Sequence, residues 1–323
     1  MKTNWNQVCF YVMVQDMNKC PFFYLCGGCK YDFSASDYRE KKCTELPDIK
    51  NLEKPIWAPN GCRVRADFCF SPNAFGFYAV NSKDIIKISN CPNLCSEINQ
   101  IIPLLSSLPW VGTGSCLVTK CDNGIDICVK SSVDYVDSNF ITMAKQMPVL
   151  RFVWNDKVLV KNNTPMVRFG NRTVEYPSGA FLQPIPADVS GLRDLVLNNA
   201  HGAKKVADLF CGLGNFTYDL HADGFDIFGI GVNRDLFKHP LTLGMLEQYD
   251  CVIMDPPRAG AMAQSEILAK SNVHKIIYVS CNPHTFKRDA NILVHGGYSL
   301  QSVIPIDQFV GSAHWEIFSI FIK

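Results

Sequence analysis

Beyond Pro177 short apolar runs alternate with stretches of helical spacing. Val206 to Phe210, Asp226 to Gly231, Cys251 to Met254 and Lys275 to Val279 read as strands separated by helices. Strands joined through helices pair in parallel and need both faces covered, which predicts an α/β fold with a doubly wound sheet over residues 176–323. Ser299 to Ile306 and Trp315 to Ile322 follow with only a short loop between them. They are expected to finish the sheet edge as an antiparallel hairpin.

Ahead of that region the rhythm is different. From about residue 55 to 170, alternating stretches such as Arg63 to Phe68, Gly76 to Val80 and Ile125 to Lys130 are separated by Pro, Asn, Asp and Gly. This pattern predicts an antiparallel β-rich domain over 51–175, with Asp122-Asn123-Gly124 as a hairpin turn. Residues 1–50 form a third unit, rich in cysteine, where Ser36 is placed to cap a short helix.

Composition narrows the class. With 47% hydrophobic and 19% charged residues the chain is of ordinary globular type. A net charge of +1 announces no overall attraction to nucleic acid. Arg39, Lys41, Lys42, Arg63 and Arg65 are candidates for a local basic face, and equally for plain surface. No apolar run approaches the roughly 20 residues of a membrane helix. Met1 to Gln7 carries one lysine and no signal-peptide core, so a cytoplasmic protein with no membrane partner is expected. That compartment keeps most of the 15 cysteines reduced.

Three of those cysteines, Cys20, Cys26 and Cys29, form a C-x5-C-x2-C run around the Gly27-Gly28 pair, with Cys91 and Cys95 far along the chain. Three thiolates from one loop and one from a distant segment suit an iron–sulfur centre. Zinc sites more often use two short-spaced pairs, and zinc or unliganded thiols remain the alternatives. Cys9, Cys43, Cys62, Cys69, Cys116, Cys121 and Cys128 lack such spacing and read as small buried residues.

Gly212 and Gly214 lie directly after Val206 to Phe210 and before Asn215, a strand, tight turn and helix start that holds nucleotide-like cofactors. There is no third glycine and no Lys-Ser/Thr phosphate cradle. A nucleoside linked to methionine therefore fits better than a dinucleotide, and an ordinary ligand-free connection is the alternative. Further on, Asp255-Pro256-Pro257-Arg258-Ala259-Gly260 shapes a pocket, Cys281 follows a strand as a candidate nucleophile, and Glu316 interrupts an apolar strand as a candidate base. A structural cysteine and a salt-bridged glutamate are the plainer readings.

In this order, Cys20, Cys26, Cys29 and Cys91, Phe181-Leu182-Gln183, Asp208 to Asn215, Asp255 to Gly260, Ser280 to Pro283, and Glu316 resemble the bacterial RNA uracil-C5 methyltransferases that carry a 4Fe-4S cluster and methylate ribosomal RNA. The resemblance covers nearly the whole chain. It implies a class I methyltransferase Rossmann-like domain that transfers a methyl group from S-adenosylmethionine to C5 of a uridine in RNA, with 23S rRNA favoured over tRNA. It further implies cofactor contacts from Gln183, Phe210, Asn215, Asp235 and Asp255. Cys20, Cys26, Cys29 and Cys91 become the cluster ligands, Cys281 adds to uracil C6, and Glu316 takes the C5 proton. A monomer is expected.

Two departures from the family pattern stand out. The N-terminal RNA-binding barrel of some members is absent, which makes this a short form. The stretch from Ile227 to Phe237 also looks shortened by roughly twenty residues, since a parallel crossover is expected to need about a dozen or more. No acid is found where the ribose hydroxyls of the cofactor require an acceptor. A non-catalytic RNA-binding relative is thus the alternative function. An iron–sulfur electron carrier, a third possibility, leaves Asp255, Cys281 and Glu316 without a role.

Overall fold

In the computed structural model, residues 19–323 are described. The readings placed on Met1 to Gln7 and on Cys9 lie outside them.

The first sheet grows from hairpins whose inward residues are aromatic and β-branched. It contains β1 (Arg65–Ser71), β2 (Ala74–Tyr78), β3 (Ile85–Lys87), β4 (Gly114–Cys121), β5 (Gly124–Ser131), β6 (Arg151–Trp154) and β7 (Lys157–Lys161), in the order β3-β2-β1-β4-β5-β6-β7. Cys121 pairs with Gly124, so Asp122 and Asn123 form the tight turn expected there. Phe68, Phe70, Trp110 and Trp154 are buried beneath two helices, α2 (Ser96–Ser106) and α3 (Ser138–Lys145), with the Phe70 and Trp110 rings stacked at 4.4 Å. One pairing departs from the antiparallel expectation. β5 and β6 are parallel, because α3 lies between them in sequence and returns the chain to the same end of the sheet. A separate hairpin, β8 (Met166–Phe169) with β9 (Arg172–Glu175), leads to the second sheet.

That sheet contains β10 (Val206–Leu209), β11 (Asp223–Asp226), β12 (Val232–Asn233), β13 (Cys251–Met254), β14 (Lys275–Ser280), β15 (Ser299–Ile306) and β16 (Glu316–Ile322), in the order β12-β11-β10-β13-β14-β16-β15. Strands β10 to β14 are parallel, and β10 and β13 are buried at every residue, as strands covered on both faces must be. Its helices are α4 (Leu192–Ala200), α5 (Thr217–Leu220), α6 (Leu243–Leu246), α7 (Met262–Leu268) and α8 (Pro283–His295). The expected edge hairpin is present: β15 pairs antiparallel with β16, and β16 with β14.

The second strand lies earlier than the sequence suggested. It is Asp223–Asp226, and the apolar run after it is the connection to β12. Gly229 passes against the Gly212 carbonyl and Gly231 against the Gly224 carbonyl, leaving no room for a Cβ at either place. Gly231 also has a φ of 81°, so these glycines bend the chain and do not extend it. The outer strand therefore exists as a two-residue stub reached without a helix. Only two residue pairs form, Phe225 with Val232 and Asp226 with Asn233, so a full crossover is not needed.

The cysteine-bearing segment, with the short helix α1 (Tyr38–Cys43), docks onto the loop between β15 and β16. Asp37, not Ser36, occupies the cap position of α1, and makes no side-chain cap bond. Lys42 and Asp307 form an ion pair that is essentially fully buried, and the Tyr38 hydroxyl donates to the same carboxylate at 2.7 Å. Among the described residues no helix is long and apolar enough to cross a membrane.

Candidate active site

The parallel strands of the second sheet end at one edge, and the residues just past those ends face a cavity of about 400 Å³. β10 delivers Phe210, Cys211 and Gly212, and β13 delivers Asp255. Gln183, Asn215 and Arg193 complete the walls used below. Phe210 adopts a φ of 61°, a left-handed conformation costly for a bulky residue and typical of strained turns at binding sites. Gln183 Nε2 donates to Asp255 Oδ2 at 3.1 Å. Asn215 is held from behind by Arg193, which donates to its backbone carbonyl and to the Asp219 carboxylate. Asn215 Nδ2 is buried with no partner among the described residues, and so offers a free donor at the cavity wall.

Of the five residues expected to hold the cofactor, Gln183, Phe210, Asn215 and Asp255 line this cavity and Asp235 does not. Asp235 lies beyond the β12 stub, accepts from the Phe237 backbone at 3.1 Å and pairs with Lys238 at 3.3 Å. Its carboxylate stabilises its own turn. Asp226 was missed, although it ends the second strand beside the glycine turn. Its carboxylate accepts from Gly212 N–H at 3.1 Å and from Phe228 N–H at 2.9 Å. An acid therefore ends the second strand, because that strand starts three residues and ends five residues earlier than expected, which moves Asp226 from its start to its end. Arg193 carried no sequence signal, being one cation in an unremarkable helix.

Cys281 directly follows β14, and Asn282 caps α8 by accepting from His284 N–H at 3.1 Å. Asn282 Nδ2 also donates to the Arg258 carbonyl at 3.0 Å, tying the Asp255–Gly260 turn to the cysteine turn. Glu316 opens β16 at 2% exposure, and its Oε1 has no partner among the described residues. Burial, then Glu316 and Asp255, push the Cys281 thiol up to about 11, with the Arg258 guanidinium opposing them. Burial, then Asp255, hold the Glu316 carboxyl well above the ordinary range. Burial alone lifts Asp255 to about 7, against the bond from Gln183. A thiol and two carboxyls, all with raised pKa values, thus lie within electrostatic reach of one another.

The four expected ligand thiols lie within electrostatic reach of one another. Burial, then Cys91, Cys26 and Cys20, raise the Cys29 thiol to about 12. The Gly28 N–H donates to Cys26 Sγ at 3.3 Å. Among the described residues no three His, Cys, Asp or Glu side chains gather closely enough to hold a metal ion.

A profile of the tRNA (Uracil-5-)-methyltransferase family matches residues 237–323. An uncharacterised RNA methyltransferase of Mesorhizobium japonicum is 32% identical, over 94% of this chain and 84% of its own. That alignment runs over 351 positions, more than this chain has residues, so the relative carries additional residues within the matched span. A 23S rRNA (uracil(1939)-C(5))-methyltransferase, RlmD, of Haemophilus influenzae is 27% identical over 94% of this chain and 81% of its own. In fold, the chain is similar to the tRNA (uracil-54, C5)-methyltransferase of Pyrococcus abyssi solved with S-adenosyl-L-homocysteine. The TM-score is 0.69 at 18% identity, covering 90% of this chain and 83% of that one.

Proposed function

The chain belongs to the RNA uracil-C5 methyltransferase family, which uses S-adenosylmethionine, and from that premise we propose that it methylates C5 of a uridine in 23S rRNA through a covalent Cys281 adduct. The observation that carries this reading is that Cys281 and Glu316 both interact with Asp255, which lines the cofactor cavity.

Uracil C5 is a poor nucleophile until a thiolate adds at C6, which turns the ring into an enolate. Cys281 provides that thiolate. Its resting proton leaves to Asp255, whose carboxyl at about 7 is matched to accept it near neutral pH. The enolate C5 takes the methyl group from the cofactor sulfonium, and S-adenosylhomocysteine departs. Glu316 then removes the C5 proton, the C5–C6 double bond re-forms, and the Cys281 thiolate is expelled. A buried carboxyl with one oxygen lacking a hydrogen-bond partner suits this last role, because the bond that oxygen lacks is the one the substrate brings. Gln183, Phe210, Asn215 and Asp255 hold the cofactor.

Cys20, Cys26, Cys29 and Cys91 would hold a 4Fe-4S cluster. A single ion needs every thiolate within about 2.3 Å of one point, whereas a cluster carries each thiolate on a different iron. The four thiols raise one another's pKa values, which is the support for a shared group. When bound it supplies a fixed inorganic centre between the cysteine segment and the first sheet, and no step of methyl transfer passes through it. Ribosomal over transfer RNA rests on the Haemophilus relative, and the target base must be unstacked to reach Cys281.

The test is methyl transfer from labelled S-adenosylmethionine to 23S rRNA and tRNA transcripts, with nucleoside analysis of the product. Label in 5-methyluridine of 23S rRNA, lost in Cys281→Ala, is the expected outcome. Unchanged labelling in Cys281→Ala would remove the covalent route, and labelling of tRNA alone would reverse the substrate assignment.

A further inference from the structure

The loop between β15 and β16, residues 307–315, ends at Glu316 and is held largely by the cysteine-bearing segment. The backbone N–H groups of Lys30 and Tyr31 both donate to the Gly311 carbonyl at 2.8 Å. Gly311 N–H donates to the Tyr38 hydroxyl at 2.9 Å, and Lys42 donates to the Phe309 carbonyl at 2.9 Å. Gly311 has a φ of 80°, and a Cβ there would lie 2.8 Å from Cys29 Sγ, so the loop backbone rests directly on that thiol.

Asn93 stands at this contact. It is buried at 7% exposure, two residues after Cys91. Its Nδ2 donates to the Val310 carbonyl at 2.7 Å and lies 3.9 Å from Cys29 Sγ. An amide nitrogen carries two hydrogens, so one group serves both acceptors. Its own backbone carbonyl accepts from Arg63 N–H at 3.2 Å, which fixes Asn93 to the segment leading into β1 and leaves its side chain as the adjustable tie.

We propose that Asn93 is a positioning residue for proton abstraction: by tying Val310 to Cys29 it sets the loop that brings Glu316 beside Cys281. The inference rests on the reading of Cys281 as nucleophile and Glu316 as base. Geometry makes the effect large. A misplacement of about 1 Å in a reacting group costs on the order of 100-fold in rate.

The steps before and after Glu316 acts can be separated chemically. With 5-fluorouridine in the RNA, the Cys281–C6 bond forms and C5 takes the methyl group. C5 then holds fluorine in place of a proton, and fluorine cannot leave as a cation. The adduct accumulates whether or not Glu316 is in place.

The experiment compares the anaerobically prepared holoprotein with Asn93→Asp, which keeps the shape and loses both donor hydrogens, and Asn93→Ser, which keeps one donor. Iron content, turnover on uridine RNA, and adduct formation on 5-fluorouridine RNA are measured for each. Asn93→Asp should keep its iron and form adduct within twofold of the wild-type rate. Its turnover should fall at least tenfold with KM for RNA and cofactor unchanged, and Asn93→Ser should recover part of that loss. Turnover and adduct falling together, turnover unchanged, or iron lost from both variants would each overturn the proposal. A wild-type protein that methylates uridine without forming adduct removes the covalent reading beneath it, a separate and recognisable result.

Discussion

Cys281 stands beside Glu316, one step past Ser280 and Ile317, the last pair of the antiparallel ladder between β14 and β16. Backbone register thus brings together two side chains thirty-five positions apart. The roles assigned to them predict different failures. Cys281→Ala should abolish both methyl transfer and adduct formation. Glu316→Gln should lower turnover by about 10²–10⁴-fold while ordinary uridine RNA accumulates as a methylated covalent complex. A denaturing gel with labelled RNA reads this, and a Glu316→Gln protein with no retained RNA would count against Glu316 as the base.

The same neighbourhood suppresses the resting thiol. With its pKa raised to about 11, Cys281 is thiolate at pH 8 in roughly one molecule per thousand, against roughly a quarter for an ordinary thiol. Iodoacetamide should therefore label Cys281 at least about 100-fold more slowly than a free cysteine at that pH, as read by peptide mass spectrometry. Arg258→Gln removes a cation that opposes the shift and should slow labelling several-fold further. Fast labelling at pH 8 would mean that the site activates its thiol before RNA arrives.

Asn215 separates binding from folding. Its buried Nδ2 has no partner among the described residues and its Oδ1 accepts only a long 3.4 Å bond from Arg193, so Asn215→Ala removes a group that contributes little to the free protein. A bound ligand that accepts from it would lose about 1–2 kcal/mol, roughly tenfold in affinity. Titration calorimetry with S-adenosylmethionine should show that loss with the melting temperature nearly unchanged. Equal affinity in the two proteins would take Asn215 out of the cofactor site, and no binding to either would mean that the stub at β12 does not complete the cavity.

How much of this could be read from sequence depends on the range of the interaction. The span Cys251–Met254 was placed to the residue because a run of buried apolar side chains declares itself locally. The strand Asp223–Asp226 was not, because Asp-Gly reads as a turn and only packing of Phe225 against the sheet makes it a strand. That single misplacement hid Asp226 and made the crossover look impossible. Asn93 was beyond reach for another reason. Its partner Val310 is 217 positions away, and no local pattern marks an asparagine that bonds across such a distance.

Asp208 should make stability depend on pH. It is fully buried on β10 and accepts from Thr217 Oγ1 at 2.6 Å, and burial lifts its carboxyl from 3.8 to about 7. The folded chain therefore keeps a proton that the unfolded chain releases. Its contribution to stability is complete below about pH 4 and is lost as pH rises through 7. Asp208→Asn keeps an acceptor for Thr217 and cannot ionise. Between pH 4 and 7 its unfolding free energy should fall less steeply than that of the wild type, by up to about 1.4 kcal/mol per pH unit. Parallel urea titrations across that range measure the difference, and identical slopes would mean that Asp208 ionises freely in the fold.

Lys42 and Asp307 join α1 to the loop that leads to Glu316, and both side chains are removed from water. Burial lowers the Lys42 pKa, with Asp307 opposing it, so the pair persists because each charge needs the other. Lys42→Met leaves Asp307 buried without its cation and should cost about 3–5 kcal/mol. Changing both, as Lys42→Met with Asp307→Leu, removes the stranded charge and should restore most of that stability. Activity separates packing from placement here. If the pair acts only as packing, the double variant recovers turnover with its melting temperature. If its charge geometry sets the loop, the double variant melts like the wild type yet turns over uridine RNA slowly while still forming the 5-fluorouridine adduct. The second outcome is expected, because Lys42 also donates to the Phe309 carbonyl, a bond that methionine cannot replace.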